Sequence, residues 1–235
     1  MIKRASKHRR TLILFALPIV FSFIHLTSHA QKYARYETED IRGTDGTWKA
    51  DIRKHDIQFF FRKPGYTGSG VFGGIFPSSE FKSLPRTEAG FSLKRAAGTL
   101  EFTGKFTGQK GEGTYHFHAD SAFRKQMNDL GIALYNDKDQ MTFMLVNVTP
   151  AYVQMLKANG FRPTKDDIVS SVATGVDDAY IRCIRAAGFS HITLGELTGF
   201  KSLGIDEPWL AKMRKAGNVI NDAGTAMALK AKENN

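Results

Sequence analysis

Two different hydrophobic periods divide this chain. Between Trp48 and Ala119 apolar residues alternate with polar ones: Ile57, Phe59 and Phe61 against Gln58, Phe60 and Arg62, and Phe91 and Leu93 against Ser92 and Lys94. Leu100 and Phe102 against Thr99, Glu101 and Thr103 continue the pattern, as do Tyr115 and Phe117 against His116 and His118. A period of two places successive side chains on opposite faces of a strand, so each run predicts a strand with one buried face. Glycines interrupt the runs at Gly65, Gly68, Gly70, Gly73 and Gly74, at Gly98, Gly104 and Gly108, and at Gly111 and Gly113. Read as turn residues, they predict five or six short antiparallel strands in a curved sheet or small sandwich.

After residue 119 the period becomes helical and the chain repeats. Phe123, Tyr152, Tyr180 and Trp209 recur at intervals of 29, 28 and 29 residues, and Gly131, Gly160, Gly188 and Gly217 recur at the same intervals. Asp120, Thr149, Asp177 and Asp206 stand three residues before the aromatics, where side-chain oxygens can cap a first helical turn. Pro150 suits the first helical position, and the glycines suit a left-handed helix end. A second cap follows at Asn136, Thr164, Thr193 and Asn221, and Thr193 with Glu196 makes a capping box. The second helices are expected to bury Ile168, Val169 and Val172, then Leu194, Leu197 and Phe200. The expected fold is α+β: an antiparallel β domain over 31–118, then four tandem helix-turn-helix repeats of ~28 residues over 119–235.

Composition changes this picture little, and charge less than it first suggests. The formal net charge is +10, but residues 1–30 contain five of the 33 Lys and Arg and no acid. The remaining 28 basic residues face 23 acids, a surplus of five that does not argue for nucleic acid as a partner. Lys3, Arg4, Lys7, Arg9 and Arg10 precede an apolar run from Leu12 to Ile24, and Ser28-His29-Ala30 has the small residues of a cleavage site. Residues 1–30 therefore read as a signal peptide, with a mature chain from Gln31 in the periplasm or outside the cell. The alternative is an uncleaved inner-membrane anchor, the only membrane contact expected. Cys183 is the one cysteine, so no intramolecular disulfide supports the exported fold.

No constellation predicts catalysis, a cofactor or a metal. Gly68-Ser69-Gly70 and Gly73-Gly74 precede Ile75-Phe76-Pro77 rather than a Lys-Ser/Thr pair opening a helix, so they do not make a phosphate loop. His116 and His118 share a strand face and could meet one metal, with Asp120 nearby, but with only His55 and His191 remaining in the mature chain they read as an exposed strand face. Cys183, beside Ile184, reads as a small packed residue. Lys157, Arg185 and Arg214 occupy equivalent repeat positions and form the candidate interaction surface. Their place near helix C-termini also suits the helix dipole, and that structural role is the favoured one. Phe123, Tyr152, Tyr180 and Trp209 are expected as repeat-core aromatics.

The run Phe91-Ser-Leu-Lys-Arg-Ala-Ala-Gly-Thr-Leu-Glu-Phe102, with Gly104-Lys-Phe106 and Gly111-Glu-Gly113-Thr-Tyr-His-Phe117, resembles a segment of uncharacterised exported bacterial proteins. It also resembles the extracytoplasmic region of membrane metallopeptidases of the β-lactam sensor-transducer type. The peptidase signature His-Glu-x-x-His is missing from this sequence. The resemblance thus implies a recognition or regulatory module and carries over no catalytic residue. The expectation is a non-catalytic module binding a protein or an anionic envelope component. The alternatives are a ligand-sensing subunit for a membrane partner, with its pocket near residues 118–150, and, behind both, a hydrolase.

Overall fold

The structure, a computed structural model, describes residues 42–233. The targeting segment assigned to residues 1–30 lies outside them. Alternation produces six strands: β1 (Asp45–Ile52), β2 (Asp56–Arg62), β3 (Phe72–Pro77), β4 (Ala89–Arg95), β5 (Gly98–Thr107) and β6 (Lys110–Ala119). They pair antiparallel in the order β3-β2-β1-β6-β5-β4, a half-barrel sheet with β3 and β4 at its edges. The inner face is aromatic. Trp48 is buried with its ring 5.4 to 5.8 Å from those of Phe59, Phe91, Phe102 and Phe106, and its indole N–H donates to the Thr103 carbonyl at 3.3 Å.

Most of the glycines read as turns lie inside strands. Gly73 and Gly74 belong to β3, Gly98 and Gly104 to β5, and Gly111 and Gly113 to β6. Gly108, in the β5–β6 hairpin, does turn the chain, at φ +60. The physical reason is close approach rather than bending. A Cβ on Gly113 would stand 1.9 Å from the Thr103 oxygen, and one on Gly111 2.8 Å from the Trp48 ring. The missing side chains make room for neighbouring backbone and for the indole.

Eight helices follow among the described residues: α1 (Ser121–Asp129), α2 (Asp137–Leu145), α3 (Pro150–Ala158), α4 (Lys165–Thr174), α5 (Asp178–Ala186), α6 (Leu194–Leu203), α7 (Glu207–Lys215) and α8 (Ala223–Glu233). Asp120, Asn136, Thr149, Thr164, Asp177, Thr193 and Asp206 cap the first seven, each accepting from the backbone N–H three residues on. The eighth differs from expectation. Asp222, not Asn221, accepts from Thr225 N–H at 2.8 Å. Gly131, Gly160, Gly188 and Gly217 take positive φ after α1, α3, α5 and α7. A further column ends the alternate helices: Asn147 at φ 60, Gly175 at φ 74 and Gly204 at φ 69. Asn147 is the one non-glycine residue with positive φ among those described, and asparagine tolerates that conformation best. In α4 the fully buried residues are Ile168 and Ser171, with Val169 and Val172 only half-buried.

The described residues belong to one compact unit, and the apolar residues of sheet and helices join in one core. Helix α2 makes the join. It lies against β6, β5 and β3 and buries Met141, Phe143, Met144 and Leu145. Arg95, at the end of β4, donates to the Met144 and Leu145 carbonyls at 2.7 and 2.9 Å, pairs with Glu80 at 2.9 Å and lies over the Phe76 ring. It thereby ties both sheet edges to the C-terminus of α2, where a cation complements the dipole. Beyond α2, α4 packs on α6 and α6 on α8, while α1 packs on α3.

Candidate functional site

The basic column begins from ordinary helix chemistry. Lys157 and Arg185 lie in the last turns of α3 and α5, but each reaches back to the end of the preceding odd-numbered helix. Lys157 Nζ donates to the Leu130 carbonyl at 2.8 Å, and Arg185 Nη2 to the Asn159 carbonyl at 2.8 Å. Leu130 and Asn159 are the C-caps of α1 and α3, so each cation meets carbonyls that the helix leaves unpaired. The Arg185 guanidinium also lies 5.0 Å over the Phe161 ring, and that of Arg214 lies 5.8 Å over Phe189. The first two cations are thus committed to neighbouring helix ends, and Arg214 stacks on the ring that follows Gly188. The stripe is a set of clasps more than a free surface.

The four aromatics face inward to different degrees. Phe123, Tyr180 and Trp209 are buried and Tyr152 is half-buried. Tyr152 donates its hydroxyl to the Val176 carbonyl at 2.8 Å, and Tyr180 its own to Ile205 at 2.6 Å. Burial of these phenols raises their pKa above the ordinary value, most for Tyr180, where Asp206 adds to the effect. Tyr115, buried on β6 and bonded to the Gly43 carbonyl, is raised by burial and then by Asp45. These hydroxyls act as donors that close loops, and such groups stay protonated at neutral pH. Trp209 instead donates to Glu233 at 2.7 Å, fastening α8 to α7.

At the join, Gln140 is fully buried. Its Nε2 donates to the Ala97 and Asp120 carbonyls at 2.7 and 2.6 Å, and its Oε1 accepts from Arg124 Nε at 3.0 Å. Asp139 pairs with Lys165 at 2.6 Å. The region around residues 118–150 is thus crossed by Phe123, Met127, Gln140, Met141 and Phe143, all buried. Sequence reasoning passed over Gln140 and Arg95, because nothing local distinguishes a buried polar residue from an exposed one. The column Asn147, Gly175 and Gly204 did leave a signal, its spacing of 28 and 29 residues.

Cys183 is exposed, which corrects its reading as a packed residue. The face of α5 that meets the core carries Tyr180, Ile181 and Ile184, and Cys183 falls on its exposed flank. His116 and His118 lie on the outer face of β6, exposed, with ring centroids 4.4 Å apart. Open hollows occur on the outer sheet face, lined by Lys49, Asp51, Phe60 and Lys105, and between two hairpins. The latter, of about 630 Å³, is bordered by Asn159, Phe161, Arg162, Arg185, His191 and Thr193. Comparison with known proteins finds no matching family model, no matching curated protein and no matching solved structure.

Proposed function

We propose that this chain is an exported, non-catalytic interaction module whose helical half consists of four tandem hairpins, α1–α2 to α7–α8. The observation that carries the reading is the recurrence of the same contacts from hairpin to hairpin. The N–H of the residue after the left-handed position returns to the helix at Val148, Val176 and Ile205, each at 2.9 Å. The tyrosine clasp recurs at Tyr152 and Tyr180, and the cation clasp at Lys157 and Arg185. Contacts repeated in this way hold successive hairpin loops in register, and stacked hairpins provide extended surfaces suited to a protein or an anionic envelope polymer.

With Lys157 and Arg185 committed to carbonyls, the loop groove is the better candidate surface, with exposed Arg162 and His191 at its border. The test is retention of envelope-extract components by the immobilised full chain, against its Arg162→Glu/His191→Ala variant. One component kept by the native chain, released by salt and missing from the variant supports the reading. Equal retention by both, or none by either, removes the groove as the binding surface.

A further inference from the structure

Antiparallel pairing places four side chains of metal-ligating type on one exposed face. His116 and His118 are two residues apart on β6 and so point to the same side. Glu101 of β5 is paired directly with His116, and Asp45 of β1 is paired with it from the other flank. Directly paired residues share a face, with Cβ atoms about 5 Å apart. All four are exposed. His118 Nε2 and Glu101 Oε2 lie 3.0 Å apart. Two ligand atoms at tetrahedral positions about 2.0 Å from one zinc ion are about 3.3 Å apart, so this pair nearly has the spacing that a shared ion requires.

We propose that the outer face of the sheet is a binding site for a divalent first-row transition metal, with His118 and Glu101 as ligands and His116 as the third. Asp45 adds a carboxylate to the same field. Imidazole nitrogen beside carboxylate oxygen selects zinc, nickel or copper over magnesium and calcium, which prefer oxygen alone. As the side chains lie, no three such groups among the described residues already stand in ligand positions. His116 must therefore turn about its own bonds, which its exposure permits. The sequence alone does not show this arrangement, because Glu101 is 15 residues from His116 in sequence and opposite it only in register.

The test is titration of the chelator-treated full chain with Zn²⁺ alone, followed through the imidazole ¹⁵N resonances. The expected result is saturable, joint movement of the His116 and His118 rings at one equivalent, before any other histidine responds, with Mg²⁺ producing none. His118→Ala abolishes this response in the His116 ring, and Glu101→Gln weakens it by about tenfold or more. Because all these side chains are exposed, unchanged circular dichroism confirms the fold of each variant. If the two rings respond no sooner than the other histidines, or if Glu101→Gln binds as the native chain does, the pair is an ordinary surface ion pair and the proposal is wrong.

Discussion

Gln140 provides the sharpest test of how helix and sheet are joined. Its amide orientation is dictated by its neighbours: two carbonyl oxygens face Nε2 and a guanidinium N–H faces Oε1. Gln140→Met keeps the length and removes both donors. The Ala97 and Asp120 carbonyls each keep one backbone bond, from Asp120 and Arg124 N–H, so neither is left wholly unpaired. Three lost bonds, the one accepted from Arg124 included, at about 1 kcal/mol each give a destabilisation of about 3 kcal/mol, independent of pH. Gln140→Glu has the same shape but replaces the donor with an oxygen. Protonated, its acid can restore one of the two bonds, for a cost of about 1 kcal/mol. Ionised, it faces two carbonyl oxygens in a buried site, so its folded pKa rises above the unfolded value. The folded state then binds the extra proton, and stability falls as pH rises from about 4.3 to the folded pKa. The cost of Gln140→Glu is therefore larger at pH 7 than at pH 5. Urea unfolding of the full chain and both variants at pH 5 and pH 7 measures this directly. With a slope of roughly 1–3 kcal/mol per molar, a loss of about 3 kcal/mol moves the midpoint by about 1.5 M. A Gln140→Glu deficit equal to that of Gln140→Met at both pH values would falsify the donor role.

Gly113→Ala places a Cβ 1.9 Å from the Thr103 oxygen, so β5 and β6 must separate, at an expected cost of at least about 3 kcal/mol. Gly108→Ala, also glycine but with open space around it, bears only the strain of φ +60, about 1 kcal/mol; equal midpoints for the two variants in urea would contradict the close-approach argument. Glu233 is held at about 2, below the ordinary 4.5, by hydrogen bonds from Lys230, Trp209 and Lys212. A carboxylate depressed in the folded state contributes stability that is present above 4.5 and lost as pH falls toward 2, so the α7–α8 fastening should persist through pH 4. Carboxyl ¹³C NMR reads it, and a midpoint near 4.5 for Glu233 would show that the fastening does not form in solution.

Much of the architecture was legible because it rests on local rules. A period of two made the strand faces readable, and Ile57, Phe59, Leu100, Phe102 and Tyr115 are buried as the alternation required. Caps at Asp120, Thr149, Asp177 and Asp206 and helix ends at Gly131, Gly160, Gly188 and Gly217 were readable because capping depends on residues a few positions apart. The glycines of β3, β5 and β6 were misassigned because turn chemistry and close packing demand the same residue. Only pairing reveals that Thr103 and Trp48 need the space.

By itself, then, the sequence determined the α+β division, the strand faces, the caps of the first seven helices and the period of the aromatics. The tertiary structure alone decided that Gln140 and Arg95 tie α2 to the sheet and that Lys157 and Arg185 serve neighbouring helix ends. It also placed Glu101 beside His118. The reason is separation along the chain. Propensity, period and capping act over a few residues, whereas a hydrogen bond spanning 43 residues, such as that from Gln140 to Ala97, is specified only when packing brings its ends together.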